Sequence, residues 1–185
     1  IFSIKWYLVV NCGNNMYIFE LLKQSRPILN NFFYGTYDCK ADAKGRVMLP
    51  SLLRNQMNAV LNEGFVIKQS MTSNCLELYP ISAWMAEMEQ INQKSRHDDE
   101  VVDFKRKFTA GLRPVEVDAT GRLLISKSLI ETVGITKEVK VAALGNYIEI
   151  WDRPSYDEAI ATTTDAAKAL SKKVMLGKKP DEDVS

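Results

Sequence analysis

Apolar residues along this chain come in short runs that switch between two periods, and the switching predicts a mixed α+β architecture. Residues 47–49 and 123–125 are brief apolar runs suited to extended structure. Each is followed by apolar positions near helical spacing: Leu52, Leu53, Met57 and Val60 after the first, Leu129, Ile130 and Val133 after the second. Pro50 fits the first turn of the first helix, where its missing N–H costs nothing, and Gly134 is a natural stop for the second. Two further strands close each half, over 65–68 and 76–79 and over 139–142 and 147–151. Ser73-Asn74 and Gly145-Asn146 supply the turns between them. Between the halves, residues 81–111 read as helical, with Trp84, Met85, Met88 and Ile91 on one face. Val101, Phe104 and Phe108 fall on another face after the polar break at 95–99. A last helix is predicted over 154–170, and 171–185, without periodicity, reads as a mobile tail.

The two halves are copies. Asp42-Ala43-Lys44-Gly45-Arg46-Val47-Met48-Leu49 returns 76 positions later as Asp118-Ala119-Thr120-Gly121-Arg122-Leu123-Leu124-Ile125. Leu76-Glu77-Leu78-Tyr79 returns 72 positions later as Ile148-Glu149-Ile150-Trp151, so the second copy is shorter between its landmarks. Each copy opens on Asp-x-x-Gly, a turn in which the carboxylate can accept a backbone N–H two residues on and Gly suits the fourth position.

Composition narrows the chemistry. The chain has 185 residues, 46% hydrophobic and 25% charged, which is ordinary globular composition. Lys and Arg exceed Asp and Glu by only 24 to 23, so overall charge gives no pull toward nucleic acid. One histidine and three scattered cysteines (Cys12, Cys39, Cys75) leave no zinc pattern and no disulfide framework, and they suit a reducing, cytoplasmic setting. Cys39 or Cys75 with His97 could be drawn as a nucleophile and base, but His97 lies in a solvated charge run and nothing brings it to a thiol. Phosphate-binding glycine loops are missing too, so no enzyme, cofactor or small-molecule substrate is expected. No run is long enough for a membrane helix. The apolar start at 1–10, broken by Lys5, reads as a non-structural leader, with a secretory signal as the alternative.

Local charge tells a different story from the total. Over 40–54 the basic residues Lys40, Lys44, Arg46 and Arg54 face Asp42 alone, a local balance of +3. Such a cluster can be a solvated face, and each arginine after the turn glycine can be tied to the turn aspartate. Arginines presented by turns and strands can also enter a DNA groove and grip phosphate or the edge of guanine. Lys105-Arg106-Lys107, flanked by Phe104 and Phe108, reads instead as the wet side of an amphipathic helix.

Together, the twin Asp-x-x-Gly-Arg repeats, the linking Phe104-Lys105-Arg106-Lys107-Phe108-Thr109-Ala110-Gly111 and the closing Ile148-Glu149-Ile150-Trp151 resemble the MraZ family of bacterial transcriptional regulators, which carry two SpoVT-AbrB-type repeats. The resemblance runs from about Phe32 to Ile160, with Phe32-Phe33-Tyr34-Gly35 similar to the family's amino-terminal motif. Residues 1–31 stand ahead of it as an extension. It implies tandem swapped-hairpin, AbrB-like β-barrel halves forming a pseudo-dimer: repeat 1 over 34–81, a helical linker over 82–110, repeat 2 over 112–155 and a helix over 156–170. It further implies a ring-shaped homo-oligomer in the cytoplasm, associated with the nucleoid, that binds double-stranded promoter DNA upstream of its own division and cell-wall operon. The family's key contact carries over to Arg46 and, in the second repeat, to Arg122. Lys44 matches a basic position of the first repeat, and Arg54 a helix arginine of the broader class. Lys40 joins them through the local charge. Because Thr120 and Ile130 replace Lys44 and Arg54 in the second copy, the first repeat is expected to dominate. An antitoxin-like module that binds a protein partner is the alternative, opposed by the folded linker.

Overall fold

A computed structural model describes residues 32–94, 97–161 and 163–175; the leader at 1–31 and the last part of the tail lie outside the described residues. Repeat 1 supplies β1 (Phe33–Lys40), β2 (Arg46–Met48), α1 (Ser51–Met57), β3 (Phe65–Gln69) and β4 (Leu76–Pro80). The linker forms α2 (Ile81–Asn92) and α3 (Asp99–Phe108). Repeat 2 follows the same order with β5 (Arg113–Val115), β6 (Arg122–Leu124), α4 (Lys127–Val133), β7 (Glu138–Gly145) and β8 (Ile148–Asp152). Two helices, α5 (Arg153–Ile160) and α6 (Thr164–Met175), end the described chain.

The strands pair across the repeats rather than within them. An antiparallel sheet runs β1-β7-β8-β4-β3-β5, and β2 pairs with β6 in a separate ribbon. Strand β1 of the first repeat therefore lies on β7 of the second, with Cys39 opposite Val139. In return, β5 of the second repeat lies on β3 of the first, with Val115 opposite Phe65. That exchange is the swap, and the central β4–β8 pair lies between its two halves. The ladders leave β1 and β5 as edges, and single bridges link those edges to the ribbon, Ala41 with Val47 and Val117 with Leu123. The ladders thus do not close the barrel, and only isolated bridges join the sheet to the ribbon.

Duplication reaches into the core. Val47, Leu49, Leu53 and Met57 are buried, and so are their counterparts 76 positions on, Leu123, Ile125, Leu129 and Val133. Leu76 and Leu78 are matched 72 positions on by Ile148 and Ile150 in the same cluster. One apolar interior is thus built from equivalent positions of both copies, as burial of period-two strand faces and one helix stripe requires.

A second apolar cluster covers the opposite face of β3 and β4, where Val66 and Tyr79 meet Ala83 and Trp84 of the linker. Trp84 stacks on Phe108 at 5.2 Å between ring centroids, and Phe108 lies 4.5 Å below the Lys68 ammonium. Lys68 is only 1% exposed and is paired with Glu77 at 2.6 Å, which a buried cation requires.

Several local expectations need correction. Pro50 stands at the N-cap of α1, one residue before the first turn. Met85 is exposed while Trp84 beside it is buried, so the predicted face of α2 is narrower than its apolar residues suggest. The single helix expected over 156–170 is two helices, because Ala161 leaves helical backbone at ψ 73°. Thr163, in a threonine run of low helix propensity, then accepts the Ala166 N–H at 3.4 Å and starts α6. Helix α6 also continues through Met175, into the segment read as a tail.

Candidate nucleic-acid interface

Both Asp-x-x-Gly turns close in the same way. The Asp42 carboxylate accepts the backbone N–H of Lys44 at 2.9 Å and of Arg46 at 3.0 Å, and Gly45 N–H reaches back to the Asp42 carbonyl at 2.9 Å. The Asp118 carboxylate accepts from Thr120 at 2.8 Å and Arg122 at 2.9 Å, and Gly121 N–H returns to Asp118 at 2.8 Å. These donors hold both carboxyls below the usual carboxylate range. The Arg46 backbone N–H is the largest cause for Asp42, and the Thr120 hydroxyl for Asp118.

Each turn is bonded to the other repeat. Ile125 N–H donates to the Gly45 carbonyl at 3.0 Å, and Leu49 N–H donates to Gly121 at 3.0 Å. Both glycines have positive φ, 78° and 83°. A Cβ on Gly45 would lie 2.6 Å from the Ile125 carbonyl oxygen and 2.7 Å from Ile130; one on Gly121 would lie 2.5 Å from the Arg54 guanidinium. Arg54 and Ile130 are thus counterparts, each packed on the opposite repeat's turn.

The ribbon fixes where the arginines point. Val47 and Leu123 pair with each other and face the core. Alternation then puts Arg46, Met48, Arg122 and Leu124 on the outer face. Arg46 lies opposite Leu124 and Arg122 opposite Met48, so the arginines occupy one diagonal and two exposed apolar side chains the other. Arg46 Nε donates to Asp42 at 2.7 Å, leaving both of its Nη groups without a hydrogen bond among the described residues. No ion pair involves Arg122 among the described residues, although the Asp118 charge acts on it.

The other site residues divide between the turns. Lys40 ends β1, and Lys44, in the first turn, is exposed, as is Lys40. Arg54 is drawn away from them: its side chain lies over Gly121, partly buried, with Nε lacking a hydrogen-bond partner among the described residues. The cluster over 40–54 is therefore two groups, because the swap carries α1 onto the second turn. Sequence reading missed Lys137, whose carbonyl accepts Ala41 N–H at 3.0 Å beside the first turn. No local signal in the chain links residues so far apart; only the β1–β7 pairing does.

Cys39 and Cys75 are buried, and burial raises their thiols to about 11 and about 12, so neither is a ready thiolate. His97 is exposed in the turn before α3. Lys107 and Arg106 pair with Asp103 on the exposed side of α3, as expected of a wet helix face. No helix among the described residues is long and apolar enough to cross a membrane.

Exchanged hairpins, a shared core and a ribbon bearing duplicated turn arginines define the class: a two-repeat AbrB-like pseudo-dimer within one chain. A family model described as "MraZ protein, putative antitoxin-like" matches residues 32–107 and 108–175, and the chain belongs to the MraZ family. It is 45% identical over 152 residues to "Transcriptional regulator MraZ" of Flavobacterium psychrophilum, covering 82% of this chain and 97% of that one. The protein of the same name from Christiangramia forsetii is 45% identical over 141 residues, covering 76% and 91%. That of Acetivibrio thermocellus is 34% identical over 146 residues, covering 78% and 99%. The family is one of regulators rather than enzymes.

Proposed function

We propose that this protein is a sequence-specific, DNA-binding transcriptional regulator that works in the cytoplasm, on the nucleoid, as a ring-shaped homo-oligomer. Its target is double-stranded promoter DNA upstream of its own operon. One observation carries the reading: the outer face of the β2–β6 ribbon presents the arginines of both Asp-x-x-Gly turns. A major groove about 12 Å wide admits a two-stranded ribbon, and arginine can bind the O6/N7 edge of guanine with two parallel hydrogen bonds. The free Nη groups of Arg46 form the required fork, while Asp42 steadies the side chain through Nε. Lys40 and Lys44 beside it suit phosphate contacts, and Arg122 occupies the pseudo-equivalent position. Arg54 has a support role as well, since it packs against the turn that leads into Arg122.

A subunit with so few cationic contacts binds weakly, because each neutralised phosphate adds a salt-sensitive increment. A ring that repeats the ribbon makes later contacts intramolecular and so raises avidity. Gel shifts on the DNA just upstream of the gene, at two salt concentrations, test this. Arg46→Ala is expected to abolish the shifted species while light scattering shows an unchanged assembly. Wild-type binding by that variant would remove Arg46 from the interface. A stoichiometric small protein co-purifying with a chain that shifts no DNA would favour the antitoxin-like alternative.

A further inference from the structure

The backbone of the two repeats is pseudo-symmetric, but the charge around their turns is not. At the first turn, three acidic residues already have cationic partners. Asp42 is paired with Arg46 at 2.7 Å, Asp38 with Lys140 at 2.9 Å, and Glu138 with Arg153 at 3.5 Å. Three exposed lysines there, Lys40, Lys44 and Lys137, make no ion pair among the described residues. Two belong to repeat 1. Lys137 belongs to repeat 2 and is brought in by the β1–β7 ladder, in which Lys40 lies opposite Glu138.

Lys137 is also held in place. On one side of it, Thr136 donates both its N–H and its hydroxyl to the buried Asp152 carboxylate, each at 2.8 Å. On the other, the Lys137 carbonyl accepts the Ala41 N–H. Fixing the backbone on both sides lowers the ordering cost when the side chain meets a ligand. The matching ladders, Cys39 on Val139 and Val115 on Phe65, put Asn62 and Glu63 at the positions of Thr136 and Lys137, and the 72-residue offset puts Pro80 at that of Asp152, so repeat 1 lacks this clamp. Glu63 instead accepts the Ser82 hydroxyl at 2.7 Å at the start of α2. Glu116 and Thr120 likewise replace Lys40 and Lys44.

From this asymmetry we infer that Lys137 is a DNA-binding residue that grips the phosphodiester backbone together with Lys40 and Lys44, so that the phosphate contact is concentrated at the first-turn end and assembled from both repeats. The inference rests on the DNA-binding reading above. A cation that neutralises one phosphate contributes about 0.9 to the slope of log affinity against log salt. For the full chain on the upstream duplex, Lys137→Gln is expected to make that slope shallower by about 0.9 and to weaken binding evenly across sequence variants of the site. Lys107→Gln, which removes the same charge from the linker helix, is expected to leave the slope unchanged. Melting temperatures should agree to within about 2 °C for all three proteins, since both lysines are exposed and the Lys107–Asp103 pair is a surface ion pair of small worth. An unchanged slope for Lys137→Gln, or an equal change for Lys107→Gln, overturns the inference while an Arg46-dependent shift keeps the DNA-binding reading. Failure of the wild-type chain to shift the duplex at either salt concentration defeats both.

Discussion

Single residues decide how tightly the two repeats interlock, and the turn glycines show it best. Gly45 and Gly121 share positive φ, yet what surrounds them differs. Beside Gly45 an added methyl meets the Ile125 backbone carbonyl, which cannot move without breaking the contact between repeats. Beside Gly121 it meets the Arg54 side chain, which can swing away. Gly45→Ala is therefore expected to destabilise the fold by more than about 1 kcal/mol, and Gly121→Ala by less, in denaturant titrations. Equal losses would mean that backbone strain alone sets the cost. The Asp-x-x-Gly spacing marks both glycines in the sequence; the side chains that meet them, Ile130 at Gly45 and Arg54 at Gly121, come from the opposite repeat and differ in kind.

At the level of elements, each turn depends on a carboxylate that accepts two backbone N–H groups. A carboxyl held below its ordinary pKa binds fewer protons folded than unfolded, so its contribution is present above the ordinary range and lost as pH falls through the depressed value. Both turns are accordingly expected to loosen below about pH 4. The amide protons of Lys44 and Thr120 report this directly, through chemical shift and faster exchange on acidification. Asp42→Asn, which keeps an acceptor oxygen without a titrating group, should remove the pH response at Lys44 and leave that at Thr120. Persistence at Lys44 would assign it to another group. The break between α5 and α6 shows the limit of pattern reading at this scale. Helix-compatible residues stand on both sides of 161–163, but Ala161 leaves helical backbone and the Thr163 hydroxyl caps a new helix.

For the whole molecule, the swap means that neither repeat owns a complete sheet. Residues 32–110 alone would keep β1 but lose its partner β7, and would keep β3 but lose β5. A second copy can supply the missing strands in the same way as repeat 2, so this fragment is expected to fold as a homodimer. Light scattering and a melting temperature that rises with protein concentration check this. A folded monomer would show that the exchange is dispensable.

What the sequence determined by itself is local or duplicated. It set the Asp-x-x-Gly turns, the three strands that follow each turn, the Gly134 helix stop and a core repeated at fixed offsets, but not β1 or β5 ahead of the turns, because hydrogen bonds over a few residues and side-chain periodicity are written in neighbouring positions. Tertiary structure alone decided which strand pairs with which, since any apolar antiparallel strand can bond to several others and only the packed interior selects among them. That choice moved Arg54 to the second turn and brought Lys137 to the first. Near-neutral net charge concealed it: acids elsewhere in the chain cancel the cations in the sum, while folding brings Lys40, Lys44 and Lys137, which make no ion pair among the described residues, together beside the first turn.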